Sequence, residues 1–425
     1  MNVVKELCST VELPKMLQVK QNFDRQSIEP AFIPDTVTAE MSKSSVAGII
    51  KPKQRVTITC GSRGVANFAL IIKAIVDQVK SLGAFPVAIP AMGSHGGATA
   101  KGQVELLARY GITESYIGCP VLSSMETVKI GLTEEGHPVY IDKNAAESDA
   151  IIVVNRIKPH TDFRAPYESG LMKMMAIGLG KREGADVTHE AGFEKMHHMV
   201  PLFGKAVLKN APIAMGFAVI ENAYHKTCLL SALTPQEITD KEPALLEYAK
   251  SRMPKIHIET CDVLVVDKIG KEISGDGMDP NVSGATACSP YVTGGLNAQR
   301  RVILSLSEET HGSAVGIGAA EAITKRLYNA IDYDATYVNA LTSRVVSYCK
   351  IPPVMDTDKE AIQFAAFSAS SVDMNKLRLI RITDTSNVEN IWVSEALKAE
   401  AEKHPDMEIL SDPAPFKFNA FGNLW

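Results

Sequence analysis

The chain has 425 residues, of which 45% are hydrophobic and 22% are charged, and its formal net charge is −5 at pH 7. This length exceeds one ordinary hydrophobic core and predicts two domains, at residues 1–254 and 255–425. The negative charge, without any Lys/Arg-rich run, argues against a nucleic-acid partner. Apolar stretches are too short to cross a bilayer, and the N-terminus lacks a signal-peptide core. The seven cysteines are scattered without a C-x-x-C pair, so we expect a cytoplasmic protein.

Strands and helices are predicted to alternate along the first half of the chain. Arg55–Cys60 and Phe85–Pro90 are predicted strands, and the apolar spacing over 68–82 predicts a helix between them. A second helix is expected over 99–111. The aliphatic run 150–154 predicts a buried strand. This alternation predicts an α/β fold with mostly parallel sheets, and an active-site cleft between its two α/β domains.

The second half of the chain is predicted to form another α/β domain. A helical stretch over 241–251, followed by Pro254, marks the predicted boundary. A predicted strand at 261–267 leads into the glycine-rich loop 271–281. The remaining predicted elements are a helix over 319–329, a strand over 377–381, a helix over 393–403 and an aromatic tail, 416–425, that packs against the fold.

Candidate functional residues lie in the loops that follow the first two predicted strands. The first loop begins Cys60-Gly61-Ser62-Arg63, and its arginine would bind a carboxylate or phosphate through its fork of donors, unless it is an ordinary surface arginine. His95 lies among glycines that allow a ligand to approach the backbone closely. Its imidazole titrates near neutral pH and suits a general base, the alternative being a solvated turn histidine.

The stretch after the third predicted strand adds further candidates. His160 is either functional or a loop histidine bonded to Asp162. Lys173 is a lone cation in an apolar run, where a charge is costly unless paired or modified. A lysine reaching to solvent and a Schiff-base lysine are the alternatives. His189 would be a metal ligand or a surface histidine, and segment 178–182 would cradle a phosphate or form a plain helix cap.

The order of Arg63, His95, His160, Lys173 and His189 resembles the lactate racemase family, over the first half of the chain and more loosely beyond. Members of that family racemise or epimerise 2-hydroxy acids with a nickel-pincer nucleotide, the pyridinium-3,5-bisthiocarboxylic acid mononucleotide nickel complex. The resemblance implies that Lys173 carries this cofactor as a thioamide and that His189 ligates the nickel. It also implies that His95 and His160 are the two acid/base histidines.

The resemblance further implies that Cys60, Gly61, Ser62 and Arg63 lie against the cofactor. A small 2-hydroxy acid or sugar acid is then the expected substrate, and the cofactor-biosynthesis enzymes are the expected partners. Family members with lactate activity tend to have Asp where this chain has Cys60, and the second domain lacks a Gln-x-x-Lys pair. The particular hydroxy acid therefore stays open.

The resemblance implies a racemase or epimerase that inverts C2 of its substrate by reversible hydride transfer, with one histidine serving each enantiomer. A zinc-dependent hydrolase that uses His95, His160 and His189 as ligands is one alternative. A non-catalytic small-molecule binding protein is another, since function does not follow from fold. A Schiff-base lyase is weaker, because no pyridoxal-type partner set is present.

Overall fold

The computed structural model describes residues 3–286, 292–343 and 345–425. The chain divides into a central unit, Asp24–Met253, and a terminal unit that combines Met1–Phe23 with Pro254–Trp425. The first 23 residues therefore differ from the predicted assignment. The reason is strand pairing: Met16–Gln21 lies between two strands of the C-terminal part of the chain, antiparallel to both.

The strands of the described residues are numbered in chain order. They are β1 (Met16–Gln21), β2 (Arg55–Cys60), β3 (Phe85–Pro90), β4 (Thr127–Leu132), β5 (Pro138–Asp142), β6 (Ala150–Arg156), β7 (Ile213–Glu221), β8 (Thr227–Leu233), β9 (Thr260–Ile269), β10 (Asn297–Leu306), β11 (Ala322–Thr324), β12 (Val354–Met355), β13 (Leu379–Ile382), β14 (Asn390–Ser394) and β15 (Met407–Ile409).

The α-helices of the described residues are numbered in the same way. They are α1 (Val3–Ser9), α2 (Ile33–Met41), α3 (Phe68–Ser81), α4 (Ala100–Arg109), α5 (Glu114–Ile117), α6 (Lys143–Ala146), α7 (Leu171–Lys173), α8 (Lys181–His189), α9 (Met196–Asn210), α10 (Pro235–Arg252), α11 (Pro280–Ser283), α12 (Lys325–Asn329), α13 (Tyr333–Ser343), α14 (Asp358–Ser368) and α15 (Lys398–Lys403). None of them is both long enough and apolar enough to cross a membrane.

The central unit is built on a five-stranded sheet in the order β3-β2-β6-β7-β8. The first four strands are parallel, and β8 runs antiparallel to β7. Strand β6 is buried on both faces because its side chains alternate between two cores: Ile152 and Val154 face the core that holds α3, whereas Ile151 and Val153 face the core that holds α9. The predicted α/β fold with mostly parallel sheets is confirmed.

The terminal unit contains an eight-stranded sheet in the order β12-β11-β10-β9-β13-β14-β1-β15. Its pairs are parallel as far as β13 and antiparallel from there to β15. Strand β9 repeats the alternation of β6, since Val263 and Val265 face one core and Leu264 and Val266 face the other. The aromatic tail packs against the first of these cores through Phe416 and Phe418, as predicted.

Two predicted helices of the terminal unit are wrong in their first half. Residues Ala322–Thr324 form β11, and helix α12 begins only at Lys325. In the same way, Asn390–Ser394 forms β14 and α15 begins at Lys398. Both misassigned segments are short and rich in β-branched residues that pair within the sheet, so tertiary pairing outweighs the helical spacing that follows them.

Candidate active site

Three loops of the central unit leave the same edge of its sheet. They follow β3, β2 and β6, which are neighbouring parallel strands, so their carboxyl ends lie side by side. This edge is where open α/β sheets bind ligands. The loops carry His95, Ser62 and His160. The first two are in direct contact, with His95 Nδ1 2.5 Å from Ser62 Oγ.

The predicted residues His160, Lys173 and His189 come together around two aromatic rings. Lys173 Nζ contacts His160 Nε2 and lies 5.9 Å from the ring centre of Phe163. The rings of His160 and Phe163 are 4.5 Å apart. Phe193 lies 6.3 Å from the ring of His160 and 5.9 Å from that of His189. Lys173 is half-buried against His160 and does not extend freely to solvent.

Burial and surrounding positive charge keep the His160 ring neutral. Its side chain is only 11% exposed. Burial lowers the pKa of His160 well below 6.5, and the charges of four neighbours lower it further. The neighbours are Lys173, Lys158, His189 and Arg164. The backbone N–H of Asp162 donates to Nδ1 over 3.0 Å, and an acceptor nitrogen at this position is what a neutral ring offers.

A buried carboxylate that sequence reasoning missed holds the His160 loop. Glu168 Oε2 accepts the backbone N–H of His160 over 2.7 Å, and Glu168 Oε1 lies 3.1 Å from Lys250 Nζ of α10. Arg164 Nη1 donates to the backbone oxygen of His160 over 2.6 Å. These bonds fix the backbone on both sides of the imidazole. No spacing in the sequence signals this clamp, because Lys250 comes from a distant helix.

A second buried carboxylate, Glu242 of α10, holds the short helix that presents Lys173. It accepts the backbone N–H of Met172 over 3.0 Å at the start of α7. Burial raises the pKa of Glu242 to about 8, although the backbone donors oppose the shift. Directly after Lys173 the chain forms a π-turn, Met174–Gly178, a deviation frequent at functional sites.

Hydrogen bonds hold the backbone of the loop after β2 on both sides of Arg63, whose side chain is exposed. Tyr110 donates its hydroxyl to the backbone oxygen of Ser62 over 3.0 Å, and Glu221 accepts the N–H of Ala66 over 2.6 Å. Gly61 allows a close approach, since a Cβ there would lie 3.2 Å from the Met174 side chain, beside Lys173.

Cys60 does not present its thiol to this edge. Its side chain is fully buried in the hydrophobic core of the central unit, and burial raises the pKa of that thiol. The backbone oxygen of Cys60 accepts the N–H of Ala91. Of the four residues predicted to lie against a cofactor, Cys60 therefore serves as the anchor of the loop rather than as a thiol ligand.

The loop that carries His95 is exposed, and buried side chains hold its backbone through hydrogen bonds. Gln103 is fully buried, and its Nε2 donates to the backbone oxygens of Gly93 and His95 over 2.9 and 3.1 Å. Lys181 is also fully buried and donates to Gln103 Oε1 and to the Pro90 oxygen over 3.0 and 2.6 Å. Asp142 neutralises Lys181 over 2.9 Å. The phosphate cradle considered for 178–182 is therefore wrong, because its lysine is committed to the fold.

The zinc-hydrolase alternative requires three ligating atoms around one ion. Among the described residues, His95, His160 and His189 do not bring three such atoms within 4.8 Å of one another. The His160 nitrogen that would face an ion contacts Lys173 instead. The geometry therefore gives this alternative no support.

Residues 9–199 match a family model described as the lactate racemase N-terminal domain. The structure of the lactate racemase apoprotein from Thermoanaerobacterium thermosaccharolyticum aligns with 88% of this chain and 89% of that chain, at 13% identity and a TM-score of 0.49. The crystal structure of O-ureido-L-serine synthase aligns with 89% of this chain and 91% of that chain, at 12% identity and a TM-score of 0.15. No curated protein matches the chain significantly.

Proposed function

Because residues 9–199 match the family model described as the lactate racemase N-terminal domain, we propose that this protein is a racemase or epimerase that inverts C2 of a 2-hydroxy acid or sugar acid. The single observation that carries the proposal is the convergence of His160, Lys173 and His189 at the strand edge described above. The three residues follow one another along the sequence in the order that resembles the family, and in the structure they lie in one half-buried cluster. This proximity supports a shared catalytic role.

The substrate proposed is an anion, and the charges around His160 favour one. The charges of Lys158 and Arg164 both act on His160 and lower its pKa. Arg63 lies exposed in the adjoining loop, where its guanidinium fork suits a carboxylate. A carboxylate bound here would be neutralised by these cations while its C2 hydroxyl faces the imidazole.

The residues present fit a nickel-pincer nucleotide. Lys173 supplies an amine for a thioamide link, and His189 supplies an imidazole ligand for nickel. The rings of Phe163 and Phe193 offer flat apolar surfaces beside them. When bound, this cofactor would take the C2 hydrogen of the substrate as hydride and return it to either face.

The proposed work of the two histidines is proton transfer at the C2 hydroxyl. An unaided histidine is too weak a base for the C2 proton itself, whereas the hydroxyl proton can leave to a neutral imidazole as the hydrogen departs. His160 is neutral because of burial and neighbouring charge, and so is ready to accept that proton. His95 would serve the hydroxyl of the opposite enantiomer, and its exposure lets it exchange protons with water.

The proposal is tested with protein produced alongside the cofactor-biosynthesis enzymes and offered single-enantiomer 2-hydroxy acids and sugar acids deuterated at C2. We expect one substrate to be interconverted with deuterium retained in the product, because hydride returns without exchange. Loss of deuterium to water would contradict hydride transfer. Binding without interconversion by nickel-loaded protein would overturn the enzyme assignment in favour of a binding protein.

A further inference from the structure

The terminal unit holds a second group of metal-ligating side chains, separate from the cluster of the central unit. One ligand atom from each of His257, His404 and Asp406 lies within 4.8 Å of the other two. His257 follows Pro254 closely in the chain. His404 and Asp406 belong to the turn His-Pro-Asp between α15 and β15, where the proline restricts the backbone between the two ligands.

The backbone around this group is fixed through the end of β1. Gln21 is fully buried, and its Oε1 accepts the backbone N–H of His257 over 2.8 Å. Its Nε2 donates to the backbone oxygens of Lys255 and Val388 over 3.1 and 2.7 Å. The next residue, Asn22, donates its N–H to the backbone oxygen of Asp406 over 2.8 Å. The same two residues therefore hold both sides of the cluster in place.

The two imidazoles are half-buried and stacked on one another. Their ring centres are 4.5 Å apart with an interplanar angle of 28°. Phe23 stacks on His257 with a separation of 5.3 Å and so limits the rotation of that ring. Two restrained imidazoles beside a carboxylate form a donor set that suits zinc and other divalent transition metals better than it suits magnesium or calcium.

We propose that His257, His404 and Asp406 form a binding site for a divalent transition-metal ion of the zinc class, with solvent completing the coordination. The ion would join the segment after Pro254 to the turn before β15 and so stabilise the terminal unit. This inference does not depend on the proposed function, because none of its residues belongs to the candidate active site.

Binding requires a small local movement. Ligand atoms around tetrahedral zinc are about 3.3 Å apart, given bond lengths near 2.0 Å, so the three groups must close together from a separation of up to 4.8 Å. The exposed side chain of Asp406 has room to move. The N–H of Asp406 donates to His404 Nδ1 over 3.2 Å, and coordination of His404 through Nε2 would give up this hydrogen bond. His257 Nε2 lies 3.4 Å from the backbone oxygen of Asn22, and coordination through Nδ1 would keep that contact.

The test uses the full chain carrying His189→Ala, so that the imidazole proposed as the nickel ligand of the candidate active site is absent. Zinc is titrated alone by calorimetry, and bound zinc is counted after desalting. We expect one tight site per chain. His257→Gln and His404→Gln each remove a ligand. Each should lower the affinity for zinc by more than the roughly tenfold to hundredfold that follows from loss of an outer-shell partner.

A matched control and a spectroscopic readout complete the test. His197→Gln changes an exposed histidine whose ring bonds only a backbone oxygen of its own segment in the described contacts, so zinc binding should be unchanged. Cobalt bound in place of zinc should give visible ligand-field bands that both ligand substitutions abolish. Absence of zinc binding by the His189→Ala chain would overturn the proposal, as would binding that persists in both folded ligand variants.

Discussion

The two histidine loops of the central unit are supported in opposite ways. The His160 loop is buried and is clamped by the charged groups of Glu168 and Arg164. The His95 loop is exposed and glycine-rich; the buried Gln103 side chain bonds its backbone, and Ser62 Oγ contacts the His95 ring. Gly96 and Gly97 adopt left-handed backbone angles there, with φ of 66° and 65°, which glycine tolerates without strain. The protein therefore encloses one imidazole and leaves the other exposed to solvent.

This difference suits a pair of acid/base groups that serve opposite enantiomers. A neutral His160 is ready to act as a base throughout the neutral range, because its pKa lies well below 6.5. His95 lies in contact with Ser62 and open to water, so it can exchange its proton between turnovers.

The largest expected effect is on turnover. His160→Ala and His95→Ala should each reduce kcat by about 10²–10⁴, the usual contribution of a positioned acid or base. Because each histidine serves one enantiomer, the interconversion should fail in both directions while binding of the substrate is retained. Chiral assays that start from either enantiomer check this. If His95→Ala left both directions intact, the pairing of the two loops would be wrong.

Removing the support beneath the His95 loop should affect stability strongly. Lys181→Met leaves Asp142 buried without its cation, which we expect to cost about 3–5 kcal/mol of unfolding free energy. The double variant Lys181→Met/Asp142→Asn removes both charges, keeps the side-chain oxygen that caps α6 and should recover most of that loss. Denaturant unfolding of the three proteins measures it. Equal stabilities of the single and double variants would contradict a buried ion pair at this place.

The carboxyl of Glu242 should give the chain a stability that depends on pH. Burial raises its pKa from 4.5 to about 8. Between those values the folded protein holds a proton that the unfolded chain has lost, so this group's contribution falls as pH rises through that window and is constant above it. Glu242→Gln should remove up to about 1.4 kcal/mol of this decline per pH unit. Thermal unfolding from pH 5 to 9 compares the two proteins, and identical slopes would refute the assignment.

The smallest expected effect is electrostatic. After burial, the charge of Lys173 is the largest influence that lowers the pKa of His160. Lys173→Gln should therefore raise the pKa of His160 toward its usual range. The ring signals of His160 in an NMR titration measure this change. A His160 signal indifferent to Lys173 would show that the two side chains do not meet in solution.

The sequence predicted what depends on local pattern. Aliphatic runs such as 150–154 predicted the buried strands, and the rule that ligands bind at strand ends placed His95 and His160 at one edge. The burial of Glu242 could have been predicted from the sequence, because this residue lies in the apolar stripe of α10, among Ile238, Leu246 and Ala249. A charged residue in such a stripe indicates a buried partner.

What the sequence did not predict depends on contacts between distant segments. Strand β1 pairs with β14 across more than three hundred residues, and no local spacing encodes that pairing. The clamp of Glu168 and Lys250 and the support of Gln103 and Lys181 have the same character. Each joins segments that are distant in the chain and that the order of strands in the sheet brings together.

The most direct test of the account is the nickel content of the chain after production alongside the cofactor-biosynthesis enzymes. His257→Gln is used as the background so that the proposed second site does not contribute metal. We predict near-stoichiometric nickel, lost in both His189→Ala and Lys173→Arg, with the exposed control His197→Gln unchanged. Nickel that is absent from the parent chain, or that persists after His189 and Lys173 are replaced, would contradict it.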